Sequence, residues 1–80
     1  FYDSKTILQE IVQRDHKGEE ITYQLIGEEG PDHNKKFVVD LLIGGKVEGQ
    51  GSGRTKKAAE QEAAYHTIIK WKGKTDEACT

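Results

Sequence analysis

No methionine occurs anywhere in the chain, the first position included, and there is a single cysteine, Cys79. One thiol beside the C-terminus cannot form an internal disulfide, so the fold has to hold without covalent staples, and a reducing, cytoplasmic setting is expected. The absent methionine leads us to expect a chain cut from a longer protein or processed. Long apolar runs are missing as well. No stretch approaches the length of a membrane span, Phe1-Tyr2-Asp3 has nothing of a signal peptide, and no membrane partner is expected. The sequence also lacks a basic excess: with 12 Lys and Arg against 14 Asp and Glu its formal net charge is -2. Any affinity for a polyanion must therefore come from locally segregated charge.

Other absences exclude chemistry. His16, His33 and His66 stand without the ligand spacings of a zinc site, and the one cysteine is remote from them, so no metal or other cofactor is expected in this chain. No nucleophile, base and orienting group occur together, so no catalytic residue is expected either. A nucleotide-binding P-loop needs glycine, four residues, then Gly-Lys-Ser/Thr; here Lys56 follows Thr55, which rejects that reading.

What remains is 80 residues, 34% hydrophobic and 32% charged. That length allows one small domain, and the apolar residues fall into periodic runs that a disordered chain would lack. After the capping side chains of Asp3 and Ser4, the segment KTILQEIVQR reads as a helix with Ile7, Leu8, Ile11 and Val12 on one stripe. Thr6, Gln9, Glu10 and Gln13 lie on the other face. A polar turn through residues 15–18 leads to a strand in which Ile21, Tyr23 and Leu25 alternate with Thr22 and Gln24. Residues 27–34 read as a long polar loop. FVVDLLI then puts Phe37, Val39, Leu41 and Ile43 on one strand face, and Gly44-Gly45 suits a two-residue hairpin turn. The third strand is expected from Lys46 to Gln50, broken by Gly49, Gly51 and Gly53, which free the backbone for a close approach or an unusual turn.

From about Thr55 the pattern is helical again, with Ala59, Ala63, Ala64, Thr67, Ile68 and Trp71 on one stripe. Gly73 is expected to end the helix. The expected fold is therefore α+β: a two-layer α-β-β-β-α domain over residues 3–73, a three-stranded antiparallel sheet with both helices on one face, followed by a disordered tail at 74–80. Thr22, Gln24 and Asp40 suit the open face of the sheet, whereas Val38 and Leu42, also placed there, have no role in this scheme.

Three constellations stand out. Gly51-Ser52-Gly53-Arg54-Thr55-Lys56-Lys57 opens a helix with cations where the helix already carries positive partial charge, an arrangement that an incoming phosphate would stabilise. The polar face of the first helix gathers Thr6, Gln9, Glu10 and Gln13, among which Glu10 could accept from a ribose 2′-OH. The loop Gly30-Pro31-Asp32-His33-Asn34-Lys35-Lys36 is a stiffened projection bearing a histidine and basic residues.

In this order the three resemble the double-stranded RNA-binding domain family, over nearly the whole chain. KTILQE is similar to the family's first-helix motif, GPDHNKKF to its loop and second-strand start, and GQGSGRTKKAAEQEAA to the end of its third strand and its second helix. LQE and GRTKKAAEQ resemble most closely the C-terminal domain of bacterial ribonuclease III. The resemblance implies binding to double-stranded RNA by A-form shape: Thr6, Gln9, Glu10 and Gln13 in one minor groove, His33 with Asn34 and neighbouring backbone in the next, and Arg54, Thr55, Lys56 and Lys57 on the intervening phosphates. The site would cover roughly 16 base pairs. Glu60 departs from the lysine that many eukaryotic members carry. The resemblance further implies a monomeric domain that binds RNA and cuts nothing, within a parent that is a magnesium-dependent, homodimeric endoribonuclease. A protein-interaction or dimerisation module of the same fold, and an adaptor domain from a non-nuclease parent, are the competing expectations.

Overall fold

Asp3 opens the first helix: its carboxylate accepts from the backbone N–H of Thr6, which satisfies one of the donors that the first turn leaves unpaired. The computed structural model describes residues 3–79, with side chains described from Asp3 to Lys72. Its elements run α1 (Ser4–Asp15), β1 (Ile21–Glu29), a single 3-10 turn (Asp32–Asn34), β2 (Lys36–Ile43), β3 (Lys46–Gly53) and α2 (Lys56–Cys79). The strands form one antiparallel sheet in the order β1-β2-β3. This is the expected α-β-β-β-α architecture. Among the described residues no helix is long and apolar enough to cross a membrane.

The core lies between the sheet and the two helices. Leu8 and Val12 of α1, Leu41 and Ile43 of β2, and Ala63, Ala64 and Ile68 of α2 are buried together, with Ile11, Ile21, Tyr23 and Trp71 packed around them. Among the described residues, every buried position of α2 falls on the expected stripe. Along α1 the buried row is Ser4, Leu8 and Val12, four residues apart, and Ile7 stands outside it at 42% exposure. An advance of about 100° per residue carries Ile7 off the centre of that row, so its expected place in the core is corrected.

Strand extents also differ from expectation. Residues 27–29 are not loop: Gly27, Glu28 and Glu29 pair with Val38, Phe37 and Lys36, after a bulge between Leu25 and Gly27 absorbs one residue. The true connection is shorter, turning at Gly30 with φ 93°, where an added Cβ would lie 2.5 Å from the carbonyl oxygen of Asn34. Gly44 and Gly45, at φ 61° and 83°, make the expected hairpin turn between the paired Ile43 and Lys46.

The glycines of β3 do not break the strand, which continues to Gly53. They let α2 lie against it. A Cβ at Gly49 would strike Thr67, one at Gly51 the backbone of Ala59 and Ala63, and one at Gly53 the side chain of Ala58. Alternate strand residues thus meet successive helical turns, because two residues of strand span about 6.8 Å and four of helix about 6 Å. The same near-match builds a second row along the outer edge of β3. There Ser52 N–H donates to Glu62 Oε1 at 3.3 Å, His66 Nδ1 bonds the carbonyl of Gln50 at 2.7 Å, and Lys70 Nζ donates to the carbonyl of Glu48 at 2.6 Å. The Gln50 contact requires the proton on Nδ1 of the histidine.

On the open sheet face Gln50 Nε2 donates to Asp40 Oδ1 at 3.0 Å, and Val38 and Leu42 are half-buried. Gly73 is not the end of α2, which extends to Cys79. An isolated glycine costs a helix only about 1 kcal/mol relative to alanine, and no proline follows to stop it. Thr80, the last residue of the expected tail, and the side chains beyond Lys72 lie outside the described residues.

Candidate nucleic-acid interface

Lys56 and Lys57 are the first two residues of α2, and its first turn contains no acid. Thr55 caps it. The Thr55 carbonyl accepts from Ala59 N–H and its Oγ1 from Ala58 N–H, both at 3.0 Å, which uses the hydroxyl oxygen and leaves the hydroxyl hydrogen to donate outward. Arg54, Thr55, Lys56 and Lys57 are all exposed, and among the described residues no carboxylate lies within ion-pair distance of the three cations. Positive side chains therefore crowd the positive end of a helix with nothing local to neutralise them. An anion placed there would relieve that repulsion.

The 3-10 turn sits beside this region. His33, Asn34 and Arg54 line a common depression with Asp32, Lys35 and Phe37, so the structure brings two of the three sequence constellations together. His33 and Asn34 are exposed, and the turn is held by Asn34 N–H on the carbonyl of Pro31 at 2.9 Å. Lys35 is drawn aside to Glu28 at 3.3 Å.

Thr6, Gln9, Glu10 and Gln13 form the exposed face of α1, as the periodicity requires. Gln9 and Gln13 line a shallow cleft with Lys5, Val12, Glu19, Glu20, Ile21 and Tyr23, whereas Thr6 and Glu10 stand outside it. The Thr6 hydroxyl is not free to turn: it donates to Asp3 Oδ2 at 2.5 Å. Hydrogen bonds from Thr6 and then Gln61 hold the Asp3 carboxyl below the usual carboxylate range.

Periodicity did not single out Lys5, nor the partners that hold it. Its ammonium reaches Glu60 Oε1 at 2.6 Å and lies 4.9 Å from the centre of the Tyr23 ring. Glu60 is thus turned toward α1. Gln61 beside it bonds both Lys5 and Asp3. The only sequence signal for this contact was the break in charge at Glu60 within an otherwise basic and alanine-rich helix start. Among the described residues no group of three or more His, Cys, Asp or Glu side chains could hold a metal ion.

Residues 4–70 match the family model described as the double-stranded RNA binding motif. The chain is 56% identical over 68 residues to Ribonuclease 3 of Listeria monocytogenes serovar 1/2a and 50% identical over 68 residues to Ribonuclease 3 of Pelotomaculum thermopropionicum. Each alignment covers 85% of this chain and 29% and 28%, respectively, of the relative. The chain thus spans less than a third of these proteins, and it matches their C-terminal part. Among solved structures, it is similar to the solution structure of both dsRBDs of DRB4 with their linker. That match has a TM-score of 0.60 and 30% identity, covering 90% of this chain and 46% of the other.

Proposed function

The chain belongs to the double-stranded RNA binding motif family, and from that premise we propose that it grips an A-form duplex at three points. The exposed row of α1 enters one minor groove, the turn at His33 and Asn34 the next, and residues 54–57 hold the phosphates between them. The observation that carries this reading is the uncompensated cation cluster at the α2 N-terminus. It supplies local positive charge to a chain whose net charge is -2. The depression shared by His33, Asn34 and Arg54 supports it, because it joins the second point of contact to the third.

The division of labour follows from chemistry. Phosphate contacts attract any duplex and release counterions, while side chains reaching the 2′-hydroxyls distinguish RNA from DNA. Glu10 would be repelled by phosphates and suits the second task. As a substrate-binding part of a ribonuclease III, the domain would place a duplex before a separate nuclease unit, to which magnesium and the homodimer interface would belong. This domain's own residues would bind and orient only.

A titration with an RNA duplex of about 20 base pairs, beside same-sequence DNA duplex and single-stranded RNA, tests the reading. Preferred binding to duplex RNA is expected, with affinity falling steeply as salt rises, and Glu10→Ala is expected to narrow the margin over DNA. Equal binding to all three nucleic acids, or affinity indifferent to salt, would overturn it.

A further inference from the structure

One amide of α2 caps a helix to which it does not belong. Gln61 Oε1 accepts from the backbone N–H of Lys5 at 3.2 Å, and Gln61 Nε2 donates to Asp3 Oδ1 at 3.1 Å. Lys5 N–H is one of the donors that the first turn of a helix leaves without an intrahelical partner. Both halves of the amide are used, and neither can exchange with the other: a flipped amide would set N–H against N–H at Lys5. Asp3 passes the contact on, since its other oxygen receives the Thr6 hydroxyl. A continuous chain of hydrogen bonds therefore runs from Gln61 through Asp3 to Thr6, the first member of the exposed α1 row.

Gln61 is also rigidly tied to the cationic turn, because it sits in the same helix, six residues after Thr55. Glu60 strengthens the grip on the same turn of α1 through Lys5.

We propose that Gln61 is a positioning residue that sets the α1 row against residues 54–57, and so governs discrimination between duplex geometries rather than attraction to phosphate. The inference rests on the duplex-binding reading above. A groove-spanning site selects geometry only if the distance between its contacts is fixed. Gln61 fixes one end of that distance to the other without touching nucleic acid.

The test compares Gln61→Glu, Gln61→Ala and the double variant Asp3→Asn/Gln61→Glu with the unaltered chain. Gln61→Glu keeps the acceptor for Lys5 N–H but sets a carboxylate against Asp3. The double variant reverses the polarity of that bond at unchanged total charge, although the asparagine nitrogen then replaces the Oδ1 that also accepts from Thr6 N–H, while its oxygen still receives the Thr6 hydroxyl. Circular dichroism establishes folding, and affinities for RNA and DNA duplexes of one sequence are measured across salt concentrations. Gln61→Glu is expected to lose about tenfold in RNA affinity. DNA affinity and the salt slope should be unchanged, and the double variant should recover part of the lost RNA affinity, short of the starting value because the Thr6 N–H cap is lost. Gln61→Ala, which adds no repulsion, gives the same readout if Gln61→Glu does not fold. Unchanged selectivity in a folded variant overturns the inference alone, as does a parallel fall in RNA and DNA affinity. An unaltered chain without preference for duplex RNA overturns the underlying reading and the inference with it.

Discussion

The ammonium of Lys5 lies 2.6 Å from the carboxylate of Glu60, joining the first turn of α1 to the second turn of α2. The pair is partly screened from water, at 35% and 27% side-chain exposure, and Tyr23 lies beneath the ammonium. Burial first, and then the negative charges of Glu60 and Asp3, push the Tyr23 phenol from 10 up to about 12.

Alkaline stability should follow that phenol. An unfolded chain ionises the tyrosine near pH 10 while the folded one keeps it neutral, so the stabilisation is intact below that pH and is lost as pH rises toward about 12. Denaturant midpoints across this window should fall less steeply for Tyr23→Phe. In Glu60→Gln, the near-ultraviolet absorbance of the phenolate should appear at lower pH than in the unaltered chain. An unshifted titration would show that Glu60 does not act on Tyr23.

Adding one methyl group at Gly51 should be severe. The new Cβ would meet backbone of α2, including Ala59 O at 2.5 Å, and backbone cannot swing aside as a flexible side chain can. Overpacking of this kind costs about 3 kcal/mol. For a domain of this size Gly51→Ala should therefore melt more than about 10 °C lower, read by circular dichroism. A smaller change would mean that α2 can lift from β3.

Lys56→Ala/Lys57→Ala should move stability and binding in opposite directions. Without RNA, removing cations from the positive end of α2 is expected to stabilise the domain by about 0.3–1 kcal/mol for each lysine at low salt. Duplex affinity should fall for all sequences alike, and the slope of log affinity against log salt should drop by about 0.9 for each phosphate that the variant no longer neutralises. Thermal melts and salt titrations on the same samples check both halves. Normal duplex binding by this variant would remove residues 56 and 57 from the interface.

The helices, apart from Ile7 and the end of α2 placed at Gly73, were legible because burial there follows a simple repeat: the stripe on α2 from Ala59 to Ile68 is buried as its spacing demands. The hairpin at Gly44 and Gly45 was legible for a similar reason, since few turns other than the two-residue kind use adjacent glycines at positive φ. The strand ends were not. Glycine in a strand weakens local propensity, and only the packing of Gly49, Gly51 and Gly53 under α2 explains why β3 continues through them. Charged residues at the end of β1 hid the pairing of Glu29 with Lys36 in the same way. Within the candidate site, the exposed residues could be found by position, because exposure is what polar helical faces and loops share. The grip of Glu60 and Gln61 on α1 left no trace but the break in charge at Glu60, because their partners lie more than 50 residues away along the chain.

The row formed by Glu62, His66 and Lys70 along β3 has a bearing on how these molecules behave in a crowd. A sheet margin with unmet N–H and C=O groups is a template onto which any passing extended chain can crystallise. Here three outward groups of that template, the carbonyls of Glu48 and Gln50 and the N–H of Ser52, already have partners within the same molecule. Copies at high concentration should therefore meet a partly occupied ladder there, which disfavours growth of the sheet from molecule to molecule at β3.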